Sequence, residues 1–115
     1  MALAFLSERL QRNESIIFIA LDSNNHAIAF TQLYPSFSSA SAARIFVLND
    51  LFVKPEARRT GAAKQLLTAA ATFARAAGAV RLTLSTEVTN HPAQSLYERQ
   101  GWIRDTDFYT YNLPL

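Results

Sequence analysis

The spacing of apolar residues changes early in the chain from a helical pattern to a strand pattern. Leucines at positions 3, 6 and 10 recur at i, i+3 and i+7, which predicts a short amphipathic helix over residues 3–13. A continuous apolar run at residues 16–21 is typical of a strand buried on both faces. Turn residues follow at positions 22–25, and residues 27–33 predict the second strand of a hairpin.

Strands and helices alternate in the rest of the chain, after an uncharged loop predicted at residues 35–43. The predicted elements are a third strand, a long helix, a fourth strand, a second helix and a closing β segment, at residues 45–53, 58–77, 80–85, 92–100 and 102–113. Gly78 stands where a glycine ends a helix, and Pro92 suits the first turn of the second helix.

The order of these elements predicts an α/β fold of the α+β kind, with helices on both faces of a mixed, mostly antiparallel central sheet. A strand–helix–strand unit over residues 45–84 requires a right-handed crossover between two parallel strands. The preceding hairpin requires antiparallel pairing. We find no internal repeat and no interior linker, so the 115 residues predict a single domain over positions 1–115.

Composition and charge exclude several classes of protein. Apolar residues make up 50% of the chain, which excludes intrinsic disorder, and no apolar run reaches the roughly 20 residues that span a bilayer. The chain has no cysteine, and His26 and His91 have no partners at metal-ligand spacing, so we expect no metal. The net charge of +2 is too small to indicate nucleic acid as a partner. These features predict a cytoplasmic protein that binds neither nucleic acid nor membrane.

The distribution of charge points to a small anion at the start of the long helix. Four of the eleven Lys and Arg residues fall between positions 50 and 67, namely Lys54, Arg58, Arg59 and Lys64. Unpaired N–H groups and the helix dipole favour an anion at a helix N-terminus. A Walker loop needs G-x-x-x-x-G-K-[ST], and a dinucleotide fingerprint needs three spaced glycines. This segment supplies neither motif.

Two motifs in this order resemble the GNAT acetyltransferase superfamily. Arg58-x-x-Gly61-x-Ala63, after a strand and a Lys-Pro-Glu exit, is similar to its acyl-coenzyme A loop, Q/R-x-x-G-x-G/A. The segment N-x-P-A-x-x-L-Y-E-x-x-G-W at residues 90–102 is similar to its second motif and lies at the expected distance. The resemblance extends from about residue 16 to residue 115.

The resemblance implies a binding site for acetyl-CoA along the third strand and the basic loop. In the family, this strand splays from the next strand, and pantetheine pairs with its exposed backbone, while N–H groups of the loop line the pyrophosphate. Asn90 would hydrogen-bond the cofactor arm. The cofactor-binding residues implied here are Leu51, Phe52, Val53, Arg58, Arg59, Thr60, Gly61, Ala62, Ala63, Lys64 and Asn90.

The resemblance also implies transfer of the acetyl group to a primary amine by direct attack, without a covalent acetyl-enzyme. Tyr97 matches the general acid that protonates the leaving thiolate, and a phenol, with a reference pKa of about 10, is protonated at neutral pH. A core aromatic residue is the alternative interpretation of Tyr97. Asp50, directly or through a water shared with Asn49, is the candidate for removing the proton of the amine. Equally, Asp50 could cap a neighbouring loop.

The chain departs from the family pattern at its start, where relatives usually carry a further strand and helix. We therefore expect the strand at residues 16–21 to be a sheet edge with open apolar surface, and a homodimer to cover it. The short start also supports a second hypothesis, a non-catalytic acyl-CoA-binding or interaction domain. A further departure is Arg59, where many relatives carry glycine. The sequence leaves the acceptor amine open.

Overall fold

The computed structural model describes residues 2–6, 15–39 and 41–115, which form two compact units, Met1–Ser85 and Thr86–Leu115. Among the described residues, the first unit holds five strands and one long helix, and the second holds one helix. The elements are β1 (Ala2–Leu6), β2 (Ile16–Leu21), β3 (Ala27–Ser38), β4 (Ala43–Val53), a 3-10 turn (Pro55–Ala57), α1 (Ala62–Ala76), β5 (Leu82–Thr83) and α2 (His91–Arg99).

The strands form one sheet in the order β1-β2-β3-β4-β5. The first four strands pair antiparallel in sequence, and β5 pairs parallel to β4. Helix α1 makes the crossover between these two parallel strands, as a strand–helix–strand unit requires. The predicted fold class, a mixed and mostly antiparallel sheet with a parallel strand–helix–strand unit, is confirmed.

Helix α1 packs on β2, β3 and β4 and builds the core of the first unit with them. Its buried side chains recur on one face, as the spacing of apolar residues predicted. Phe73 of α1 lies edge-to-face against Phe18 of β2 and Phe46 of β4, with ring centroids 5.9 and 5.4 Å apart. Such pairs stabilise a core beyond the area that they bury. The apolar strand residues that are buried are Ile16, Phe18, Ala20, Ala29, Leu33, Ile45, Phe46 and Leu48.

Gly78 ends α1 as predicted. Its φ of 80° lies in the left-handed region, which glycine enters without steric cost. Its N–H donates to the Arg75 oxygen at 3.1 Å, and the Ala79 N–H donates to the Ala74 oxygen at 3.0 Å. This pair of bonds satisfies carbonyl groups that the helix end leaves without partners.

The helix predicted over residues 3–13 is wrong at its start, because residues 2–6 form strand β1. β1 pairs antiparallel with β2 along its whole length, from Ala2 opposite Leu21 to Leu6 opposite Ile17. Three leucines at helical spacing are weak evidence when the intervening residues include further apolar ones, and tertiary pairing overrides the local pattern here. Residues 7–14, which carry the rest of this prediction, lie outside the described residues.

The pairing of β1 also corrects the prediction that β2 is a sheet edge. β2 lies between β1 and β3, and the outer strands of the described sheet are β1 and β5. The expected homodimer rested on an open β2 edge. It stays a prediction without that support.

The predicted limits of β3, β4 and β5 change in the structure. The loop predicted at residues 35–43 is mostly strand, because β3 continues to Ser38 and pairs with the start of β4. The strand predicted at residues 80–85 shortens to two residues. Local sequence does not encode these limits, since a strand ends where its pairing partner ends.

The closing β segment predicted at residues 102–113 is also wrong, because no strand forms there. Several large side chains of this segment are exposed, among them Phe108, Tyr109, Tyr111 and Leu113. An alternating pattern makes a strand only where a second strand supplies the hydrogen bonds. Within the described chain, this segment has no such pairing.

Candidate functional site

Strand β4 leaves part of its backbone edge open, because β5 pairs with it only at Phe46 and Val47. Next to this short ladder, the Phe46 N–H donates to the Arg81 oxygen at 3.2 Å and the Val80 N–H donates to the Arg44 oxygen at 2.9 Å. β4 continues beyond the ladder to its last residue, and no strand of the described sheet covers that side. The open edge lies at the carboxyl end of two parallel strands, where ligands of α/β sheets bind.

A β-bulge interrupts β4 next to this open edge. The β3–β4 register moves two residues along β3 but three along β4, between the pairs Phe30–Phe52 and Gln32–Asn49. Asp50 lies within the bulge with a φ of 57°, in the left-handed region that aspartate enters more readily than most residues. Bulges re-aim side chains and change which backbone groups reach the neighbouring strand.

The N–H group of Val53 faces the open edge. The Lys54 N–H donates to the Ile28 oxygen of β3 at 2.9 Å, and the alternation along a strand directs the N–H of the preceding residue, Val53, away from β3. The Val53 oxygen accepts a hydrogen bond from Arg58 Nε at 3.4 Å, which ties the basic loop to the end of β4. The edge therefore offers a main-chain donor beside an arginine.

Asp50 is exposed. Its carboxylate makes no hydrogen bond or ion pair with any described residue, so no loop cap holds it within that part of the chain. Asn49, its neighbour, is exposed as well. The structure therefore presents an unpaired negative charge on β4, next to the open backbone edge.

The basic loop is wound tightly between β4 and α1. The Ala57 N–H donates to the Lys54 oxygen at 2.9 Å, and the Arg58 N–H donates to the Pro55 oxygen at 3.3 Å. The Thr60 hydroxyl also donates to the Ala57 oxygen. These local bonds fix the loop from within, which leaves the exposed ends of its cationic side chains free to meet an anion.

Helix α1 begins without a side-chain cap. Gly61 is its N-cap with a φ of 86°. Gln65 is the first residue whose N–H donates a hydrogen bond within the helix, to the Gly61 oxygen at 3.0 Å. The N–H groups of residues 62–64 therefore have no partner within the helix. A Cβ built at Gly61 meets nothing within 4 Å, so the approach to these donors is open. The exposed cations of this segment are Lys54, Arg58, Arg59 and Lys64.

Arg59 adopts a φ of 65°, a left-handed conformation that glycine takes without cost. The left-handed backbone is the physical reason why glycine suits this position, at which this chain carries arginine. The side chain of Arg59 is exposed. The loop thus accepts backbone strain at a residue that adds a positive charge beside the helix start.

In the second unit, Asn90 caps the start of α2. Its Oδ1 accepts a hydrogen bond from the Ala93 N–H at 3.2 Å. Gln94 Nε2 donates to the carbonyl oxygens of Glu87 and Val88 and holds the preceding turn. Sequence reasoning missed this capping role, although asparagine before a helix with proline in its first turn signals it. The amide nitrogen of Asn90 stays available as a donor to a ligand.

Tyr97 lies on α2 and is half-buried. Burial raises its pKa above the ordinary value of 10.0, because removing water penalises the phenolate. The rings of Tyr97 and Trp102 pack near each other, with their centroids 6.0 Å apart. In addition, the backbone N–H of Trp102 donates to the backbone oxygen of Tyr97 at 3.0 Å. The phenol therefore keeps its proton through neutral pH, as a general acid must.

The predicted site residues fall into two groups. The strand and loop residues implied in cofactor binding, together with Asp50, lie in the first unit along one path from β4 to the start of α1. Asn90 and Tyr97 lie in the second unit. Among the described residues, no group of three or more His, Cys, Asp or Glu could hold a metal ion. None of the described helices is both long and apolar enough to span a membrane.

Comparison with known proteins identifies the family that the chain resembles. The model of the acetyltransferase (GNAT) family matches residues 2–102. "Uncharacterized N-acetyltransferase YhfO" of Bacillus subtilis is 53% identical over 113 residues, which cover 96% of this chain and 75% of that protein. A "Probable acetyltransferase" of Haemophilus influenzae is 38% identical over 95 residues, 83% of this chain and 61% of its own length. A crystal structure of a probable acetyltransferase superposes with a TM-score of 0.81 at 46% identity, covering 89% of this chain and 68% of that one.

Proposed function

The chain belongs to the acetyltransferase (GNAT) family, and from this premise we propose that it transfers an acetyl group from acetyl-CoA to a primary amine. The observation that carries the proposal is the open edge of β4, which leads directly to the uncapped start of α1. Main-chain donors along the edge suit the amide groups of a pantetheine arm. The helix N-terminus and its cations suit a pyrophosphate.

The residues present fit this cofactor. Val53 would offer its N–H to the arm, with Leu51 as the second donor that we propose, and residues 62–64 would offer N–H groups to the phosphates. Lys64 in the first turn of α1 is unfavourable for the helix dipole by itself, because a cation there opposes the positive end. A bound pyrophosphate would reverse that penalty.

The reaction is a direct transfer between two substrates. Acetyl-CoA supplies a thioester whose carbonyl carbon accepts the lone pair of the amine. The new C–N bond forms as the C–S bond breaks, so the nitrogen must lose a proton and the departing sulfur must gain one. Positioning of the amine and N–H donation near Val53 to the carbonyl oxygen would supply most of the rate acceleration.

Tyr97 and Asp50 carry the two proton movements in this proposal. Tyr97 donates its phenolic proton to the leaving thiolate, and its raised pKa keeps that proton in place at neutral pH. Asp50, exposed and without a partner among the described residues, accepts the proton that the attacking amine nitrogen loses as the C–N bond forms, directly or through water.

The test of catalysis is acetyl-CoA turnover with a panel of primary amines. We expect Tyr97→Phe to lower kcat by about a hundredfold, near the lower limit for general acid catalysis, because a thiolate already leaves easily. Its affinity for acetyl-CoA stays unchanged in calorimetry. Tyr109→Phe, which removes an exposed phenol, is the matched control. Full activity of Tyr97→Phe at neutral pH would refute the general-acid assignment.

A charge reversal tests the cofactor site. Lys64→Glu places a negative charge at the start of α1 and should weaken acetyl-CoA binding by about tenfold or more. Arg75→Glu makes the same change in the last turn of the same helix and should leave affinity unchanged. Equal losses in both variants would point to net charge rather than a local site.

The rival hypothesis, a non-catalytic acyl-CoA-binding or interaction domain, makes a different prediction in the same experiments. It predicts that coenzyme A raises the melting temperature while no amine is acetylated. Turnover of any amine in the panel excludes it. Absence of both binding and turnover excludes both hypotheses.

A further inference from the structure

The sheet face opposite α1 carries an apolar row that reaches the bulge in β4. Cross-strand register places Ile19 of β2 opposite Phe30 of β3, and Phe30 opposite Phe52 of β4. Ala29, the neighbour of Phe30, is buried on the face that α1 covers, so Phe30 belongs to the other face. The row therefore ends at the strand that carries Asp50.

The two aromatic rings of this row are exposed although they pack on each other. Their centroids lie 5.8 Å apart with an interplanar angle of 37°. Phe30 is 38% exposed and Phe52 is 46% exposed. A contiguous aromatic surface on a small protein marks a contact site more often than a lone exposed apolar residue does.

The strand that carries Phe52 also carries a single negative charge. Asp50 is two residues from Phe52 on the same strand, is exposed, and has no hydrogen bond or ion pair with the described residues. No other acidic residue occurs between positions 23 and 55. One exposed carboxylate thus lies two residues along β4 from the exposed aromatic pair.

We propose that Phe30, Phe52 and Asp50 form the acceptor subsite and select a primary amine that carries an aromatic or bulky apolar group. The inference rests on the proposed acetyl transfer. The single carboxylate can pair with one ammonium group. The faces of the two rings attract a cation, and they also bury the apolar part of the amine. An acceptor with several positive charges would meet only one counter-charge here.

Burial of a phenyl group against the pair predicts tighter binding than an alkylamine can achieve. We expect 2-phenylethylamine to bind about tenfold to a hundredfold more tightly than ethylamine, as the area of a buried aromatic ring implies. Both amines present the same ammonium to Asp50. The difference between them therefore isolates the contribution of the aromatic pair.

The test is calorimetric titration of the full chain with each amine, with coenzyme A present and then absent. Phe30→Ala removes one ring of the pair and should reduce the preference for 2-phenylethylamine to about twofold, without changing ethylamine binding. Phe37→Ala removes another exposed phenylalanine from the same strand and should leave the preference intact. Asp50→Asn should weaken both amines together.

Each result decides the inference separately from the proposed function. Equal binding of the two amines, or a preference that Phe30→Ala leaves intact, overturns the acceptor subsite. If Phe30→Ala instead changes only the sedimentation coefficient, the aromatic pair is a contact between copies of the chain and the inference also fails. Failure to bind coenzyme A or to transfer acetyl overturns the proposed function, and the amine titration without coenzyme A still reports on the aromatic pair.

Discussion

The two helices of this protein begin in opposite ways. Helix α1 starts at a glycine in a left-handed conformation and has no side-chain cap, whereas α2 starts at Asn90, whose side chain accepts an N–H of its first turn. Their burial is also opposite. α1 buries six side chains in the sheet core, and α2 has none that is fully buried.

This contrast shows how a helix end can be kept available for a ligand. Capping stabilises a helix but consumes the donors that an anion needs. α1 gives up a cap and draws its stability from packing on β2, β3 and β4. α2 has less packing and draws more of its stability from its cap. Helix α1 can therefore keep an uncapped N-terminus because burial of its apolar face stabilises the helix.

The largest effect that tests this contrast is loss of packing. Leu66→Ala truncates a fully buried side chain of α1 and should lower the free energy of unfolding by about 2–5 kcal/mol. Leu96→Ala truncates a half-buried side chain of α2 and should cost clearly less. Urea denaturation of both variants measures the difference. Equal costs would show that packing does not distinguish the helices.

Loss of the cap of α2 comes next in size. Asn90→Ala removes the acceptor for the Ala93 N–H and should destabilise α2 by about 1 kcal/mol, seen as faster hydrogen exchange of that amide. Asn90→Asp keeps the acceptor and removes the amide donor. We expect it to preserve exchange protection and to weaken acetyl-CoA binding. Retained affinity in Asn90→Asp would limit this residue to capping.

Relief of strain before α1 should be a small effect. Arg59→Gly releases a left-handed non-glycine backbone, which favours folding, but makes the unfolded chain more flexible. We expect a net gain of about 0.5 kcal/mol in the free energy of unfolding, together with weaker acetyl-CoA binding through the lost charge. A destabilised variant would mean that the Arg59 side chain contributes structural contacts.

The smallest effect concerns the proton of Tyr97. Its folded pKa is raised by burial, so its contribution to stability is fully present below the ordinary pKa and is lost as pH rises through the folded value. We expect a late component in the ultraviolet titration of the tyrosinates, above pH 10. Tyr97→Phe should abolish that component and Tyr109→Phe should keep it. Loss of the component in both variants would assign it elsewhere.

Elements with strong periodicity could be predicted from the sequence. The apolar face of α1, the glycine that ends it and the three strands β2, β3 and β4 follow from spacing and turn chemistry alone. The basic loop could be predicted because cations at a helix N-terminus oppose the helix dipole, which indicates that they bind an anion. These features depend on residues close together in the chain.

Features that depend on pairing between distant residues could not be predicted. β1 forms because residues 2–6 find a partner in β2, and residues 102–113 form no strand because they find none in the described chain. The bulge at Asp50 had a local signal, a polar Asn-Asp pair inside an apolar run, but its effect depends on the register with β3. The pairing of Phe30 with Phe52 depends on the same register.

The open edge of β4 has a consequence for how this protein tolerates mutation. The Val53 donor belongs to the main chain, so most side-chain replacements at Val53 leave it in place. Proline at this position deletes the donor, and the neighbouring Lys54 N–H still bonds Ile28 of β3. In a saturation mutagenesis screen, we expect proline at Val53 to abolish activity while the folded protein persists, amid wide tolerance of other residues.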